Sequence, residues 1–168
     1  MRAVVKWAPV AMKEPENYEA RANLMWASSM ALNTVLDAGT VHGCACHAME
    51  HELSAYYDIT HGHGLAIVTP RWLEYILNET TAPAIHRLGV KVFGIPENLS
   101  AIDGAKKAIE AVADFCFNTL GLKPNLSDLG IDNKHFKAMA EHACAGAVIS
   151  GPKNLLPADV EAIYKMCL

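Results

Sequence analysis

Residues 42–64 read HGCACHAMEHELSAYYDITHGHG, and five of the chain's eight histidines lie inside them. His47 and His51 stand four apart, so on a helix their rings project from one face. The segment ACHAMEHELSAYY is a helix candidate. Beyond it, a sharp turn through Asp58, Thr60 and Gly62 brings His61 back over the same face, with Gly62 and Gly64 opening the way into a second helix. Pro70 inside that second helix predicts a kink or a break. Imidazole is the commonest neutral ligand for zinc and ferrous iron, and two converging rings make half a site. A catalytic metal usually has three or more protein ligands and one position left for substrate or water. Glu50, three residues after His47, either stands behind a ligand or faces water. His42 and His63 read as ordinary residues, and His86, His135 and His142, in separate helical segments, as surface ones.

The helical period continues outward in both directions. NYEARANLMWASSMALNTVLDAG, from Asn17, is rich in Ala, Met and Leu and reaches a stop at Gly39. In SAIDGAKKAIEAVADFCFNTLG apolar residues recur at 102, 105, 109, 112, 116 and 120, close to a period of 3.6. Ser100 with Asp103 reads as a capping box, and Gly121 followed by Pro124 as the end. DNKHFKAMAEHACAG and PADVEAIYKMCL complete the series, with Pro157 suited to a first turn. Alternation of period 2 never lasts beyond a few residues. The reading is an all-α fold, one helical domain over residues 1–168.

Composition narrows the class. With 52% apolar and 19% charged residues the chain can build a core and is not disordered. A net charge of −4 argues against a nucleic-acid or anionic-membrane surface. No apolar run approaches a membrane span, and the broken apolar stretch at the N-terminus is a poor signal peptide. Five irregularly spaced cysteines read as reduced thiols in a cytoplasmic protein.

Short patterns in the histidine cluster give conflicting leads. HAMEH, residues 47–51, matches the H-x-x-E-H zinc pattern, with Glu50 as general base. HELSA fails H-E-x-x-H because Ala55 stands where the second His is required, and CACH is one residue short of a haem-attachment motif. No glycine-rich phosphate loop follows a strand, so the chain carries no dinucleotide fingerprint of its own.

The longer stretch HAMEHELSAYYDITHGHGLAIVTPRW closely resembles the histidine motif of the iron-containing alcohol dehydrogenases, particularly the butanol dehydrogenase branch. EPENYEARANLMWASSMALN resembles the helix before that motif, and LSDLGIDNKHFKAMAE and LLPADVEAIYKMCL the C-terminal helices. The resemblance covers essentially the whole chain. It implies that His47 and His61 are metal ligands, for iron or zinc, and that His51 lies near nicotinamide and substrate as a proton-relay residue. It implies reversible hydride transfer between an alcohol and NAD(P).

Members of that family are about twice as long. The resemblance places NAD(P) mainly on an N-terminal α/β domain, and two further ligands on an Asp-x-x-x-His helix preceding this region. No D-x-x-x-H occurs here; Asp132 with His135 has the wrong spacing. The expectation is the C-terminal helical half of such an enzyme, binding metal weakly and turning over nothing alone. Its partners would be the missing N-terminal domain, a small alcohol or aldehyde, and further copies of itself through exposed apolar surface. Two readings compete: a self-contained H-x-x-E-H zinc hydrolase, which needs Glu50, and a non-catalytic helical interaction module. On the dehydrogenase reading Glu50 is dispensable.

Overall fold

The computed structural model describes residues 1–39 and 43–168, and His42 lies outside them. Among the described residues are eight α-helices and no strand: α1 (Arg2–Lys13), α2 (Tyr18–Leu32), α3 (Ala45–Tyr57), α4 (His61–Tyr75), α5 (Ala82–Leu88), α6 (Ala101–Asp114), α7 (Phe136–Ala143) and α8 (Pro157–Met166). An isolated bridge between Ile149 and Leu155 closes the loop before α8. The all-α expectation holds.

Helix α4 is the pivot of the packing. Gly64, Ala66, Ile67, Val68, Pro70 and Leu73 are all buried, so it lacks the solvent-facing stripe of a peripheral helix. Ile67 and Val68 join Met49 and Leu53 of α3, Phe136 and Met139 of α7, and Ile163 and Tyr164 of α8 in the main core. Leu73 joins a smaller core with Ala82 and Ile85 of α5 and Ala105 and Ala108 of α6. The core side of α3 follows from its spacing: Ala45, Met49 and Leu53 repeat every four residues and are buried. Tyr164, fully buried on α8, donates its hydroxyl to the Met49 carbonyl at 2.7 Å and ties α8 to the histidine-bearing helix.

Sequence boundaries hold at some ends and fail at others. Asn17 caps α2 by accepting from the Ala20 N–H, and Ser100 caps α6 by accepting from the Asp103 N–H. Helix α2 stops at Leu32, well before Gly39. Asn33 turns its side chain to the Val35 N–H at 3.2 Å, and Thr34 takes a left-handed conformation at φ 65°. Such local hydrogen bonding competes with helix continuation. Pro70 does not break α4, which continues to Tyr75. Pro157 opens α8 as expected, and Asp159 accepts from the Leu156 N–H at 2.8 Å.

His86 is a correction: it is buried, not on the surface. Its Nε2–H donates to the Pro96 carbonyl at 3.0 Å, and the ring lies directly on Gly104 of α6. A Cβ at position 104 would come within 2.1 Å of the imidazole. His135 is half-buried beside Tyr56, while His142 is exposed as expected.

The hairpin of α1 and α2 is of another character. Helix α1 buries no residue and α2 only Ala20. Met25, Trp26, Leu32 and Leu36 are between 66% and 85% exposed. That apolar surface is larger than isolated surface residues explain.

Two stability effects follow. Gly104→Ala forces a methyl into the His86 ring and lowers unfolding free energy by about 1–3 kcal/mol, measurable by urea denaturation. Tyr75 donates to Asp159 at 2.5 Å across α4 and α8. This bond holds the Asp159 carboxyl below its usual range and, with burial, pushes the Tyr75 hydroxyl up to about 12. A depressed carboxyl contributes stability that is present above its unfolded pKa and lost as pH falls through the folded one. Tyr75→Phe therefore costs about 1–2 kcal/mol at pH 7, and the difference from wild type shrinks as pH is lowered past 4.

Candidate metal centre

The chain reverses between α3 and α4 over three residues. Asp58 takes a left-handed conformation, φ 51° and ψ 38°, and its N–H closes the end of α3 onto the Ser54 carbonyl. Thr60 then accepts from the N–H groups of His63 and Gly64, starting α4 at His61. The turn is thus made by Asp58. Gly62 and Gly64, expected to open it, lie inside the first turn of α4.

This reversal returns His61 to the face that carries His47 and His51. Ring centroids are 5.3 Å apart for His47 and His61, 5.4 Å for His51 and His61, and 6.0 Å for His47 and His51. Two imidazoles sharing one ion at about 2.1 Å in tetrahedral geometry hold their centroids roughly 5 Å apart, so the spacing suits a common ion. All three residues are exposed on the outer side.

Glu50 forms the floor. Its side chain is fully buried, with Oε2 against Nδ1 of His61 and Oε1 accepting from Ser54 Oγ at 2.6 Å. The alternative in which Glu50 faces water is therefore excluded. Gly64 of α4 lies on top of it: a Cβ there would come within 2.6 Å of Glu50 Oε1 and 2.7 Å of its Cγ. Only a residue without a side chain lets α4 approach this closely. Donor atoms of Glu50, His51 and His61 lie within 4.8 Å of one another, with His47 meeting the group through its ring. Of the pair read from sequence this donor grouping contains His61, joined by His51 and Glu50, while His47 stands beside it by ring contact.

Other expected residues separate cleanly. His63 turns away and its Nε2 meets the Lys123 carbonyl at 3.0 Å. Cys46, half-buried on α3, has its thiol pushed up to about 11 by burial. Among the described residues no cysteine is in a disulfide. The importance of Glu50 had one sequence signal. Cys46, Met49, Glu50 and Leu53 occupy i, i+3, i+4 and i+7, the inward stripe of an amphipathic helix. A carboxylate inside that stripe requires a buried partner.

Comparison with known proteins agrees with this arrangement of helices. The family model for the C-terminal part of the Fe-containing alcohol dehydrogenase family matches residues 1–168. NADH-dependent butanol dehydrogenase A of Clostridium acetobutylicum is 44% identical over 167 residues, covering 98% of this chain and 43% of that protein. NADPH-dependent aldehyde reductase YqhD of Escherichia coli is 37% identical over 137 residues, 81% of this chain and 34% of that one. The crystal structure of NADH-dependent butanol dehydrogenase A from Thermotoga maritima superposes with a TM-score of 0.88 at 32% identity, covering 99% of this chain and 43% of that one. The chain thus spans less than half the length of these relatives. It belongs to the Fe-containing alcohol dehydrogenase family and corresponds to the C-terminal part of its members.

Proposed function

We propose that this chain supplies the metal-holding, proton-handling part of an NAD(P)-linked alcohol dehydrogenase or aldehyde reductase. The observation that carries the reading is the convergence of His47, His51 and His61 from two helices onto one exposed face. His47 and His61 are the donors we assign to a divalent ion, ferrous iron or zinc, with His51 as the catalytic proton relay. When bound, the ion supplies Lewis acidity toward an alcohol or carbonyl oxygen.

The rest falls to the side chains. His47 and His61 fix where the reacting oxygen sits between α3 and α4. His51, exposed beside them, takes the hydroxyl proton in the direction of oxidation and hands it to solvent, and returns one in the direction of reduction. The nicotinamide nucleotide and the remaining ligands are assigned to the part of the relatives that this chain does not match. The apolar face of α2 suits contact with that part, and association between copies of the whole enzyme. Among the described residues no helix is long and apolar enough to cross a membrane. Together with cysteines that form no disulfide among the described residues, this supports a cytoplasmic setting.

The hydrolase reading fares worse. A general base must reach the water it activates, whereas Glu50 is sealed beneath His61, Ser54 and Gly64. The exposed face of α2 is compatible with an interaction module, but such a role gives no reason for three converging imidazoles.

Anaerobic calorimetric titration with ferrous iron and zinc tests the proposal. The chain should bind one ion with affinity no better than about ten micromolar, and a His47→Ala, His61→Ala double variant should bind none. Equal binding by that variant would remove these two residues from the site.

A further inference from the structure

We propose that Glu50 is a positioning residue for His61: it holds the imidazole in the tautomer that presents Nε2 to the metal. This rests on the metal reading above; of the two places the sequence left open for Glu50 it takes the one behind a ligand, and it replaces the expectation that Glu50 is dispensable.

The geometry supplies the case. A carboxylate accepts hydrogen bonds and does not donate them. With Oε2 against His61 Nδ1, the hydrogen of a neutral imidazole is drawn to Nδ1, and the Nε2 lone pair is left for the open face. Oε1 is meanwhile held by Ser54 Oγ, so the carboxylate cannot swing away without losing that bond. Ser54 Oγ also lies 3.2 Å from the Ile59 carbonyl, at the reversal before His61. Gly64 closes the remaining side, and any side chain there would push the carboxylate off His61.

Energetics make the arrangement purposeful. A fully buried carboxylate costs several kcal/mol unless a cationic partner offsets it. Among the described residues no Lys or Arg lies in ion-pair range of Glu50; His61 alone does. A divalent ion on the far nitrogen of His61 supplies the missing positive charge through the ring. Carboxylates behind metal-bound histidines raise the basicity of the ligand and fix its orientation, and their loss typically weakens metal affinity 10–100-fold.

The test compares wild type, Glu50→Leu and Glu50→Gln, each as the full chain with folding checked by circular dichroism. Leucine is apolar and of similar bulk, so it removes the acceptor without leaving a buried charge. Glutamine keeps an oxygen that accepts from Nδ1–H. In the metal-free chain, long-range proton–nitrogen NMR of the imidazoles should find Nδ1–H on His61 in wild type and in Glu50→Gln, and a shift toward Nε2–H in Glu50→Leu. Zinc titration should show roughly 10–100-fold weaker binding for Glu50→Leu, with Glu50→Gln losing less. An Nε2–H tautomer in wild type, or zinc affinity that ignores the leucine change, overturns the positioning role alone. A wild-type chain with the expected tautomer that binds no zinc overturns the metal reading.

Discussion

The contact between Glu50 and Gly64 decides how close α3 and α4 can lie, and with it where His61 meets His47 and His51. The carboxylate fits because the facing residue has no side chain, and it is tolerated in the core because His61 and Ser54 occupy its oxygens. Neither half works alone. A larger residue at 64 would lever the helices apart, and an apolar residue at 50 would leave His61 without its anchor. The left-handed Asp58 completes the geometry by reversing the chain in three residues. Around this hairpin the main core acts as a clamp. Tyr164 grips the Met49 carbonyl of α3, and Ile67 and Val68, one turn beyond Gly64 on the same side of α4, are fully buried with Met49 and Leu53.

A site built in this way is rigid beneath and open above. The imidazoles stand on a packed helix pair whose inner faces are fully buried, while their outer faces meet solvent. Open coordination positions are what a catalytic metal needs and a structural one avoids. The same openness is why the proposal gives the imidazoles of this chain only weak binding when they act alone. The relatives extend well beyond the stretch matched here, and the uncovered apolar side chains of α2 lie on a hairpin that contributes little to the core. Both features suit a domain that works against a neighbour.

Helical class and most helix starts were legible in the sequence because capping residues and apolar period act locally. Asn17, Ser100 and Pro157 mark their helices through bonds or ring geometry within one turn. The convergence of His47, His51 and His61 was also legible, from i, i+4 spacing and a short reversal. The roles of the glycines were not. Gly62 and Gly64 look like turn residues in sequence, yet Gly64 is explained by a carboxylate fourteen residues earlier. Gly104 is likewise explained by His86, a residue that reads as surface until the α5–α6 packing is known. Close approaches between helices are non-local facts, and a small residue records them without naming its partner. The end of α2 failed for the opposite reason, since Asn33 and Thr34 divert the chain locally before Gly39 is reached.

The central claim is that imidazoles from α3 and α4 share one ion. X-ray absorption spectroscopy at the zinc edge of the zinc-loaded chain addresses it most directly, because it reports the donor type without reference to activity. The account predicts two or three imidazole nitrogens at about 2.0–2.1 Å, the balance being water oxygen. Sulfur scattering at about 2.3 Å would place the ion on Cys44 or Cys46, and a shell without imidazole multiple scattering would place it away from the histidines. Either result would contradict the account.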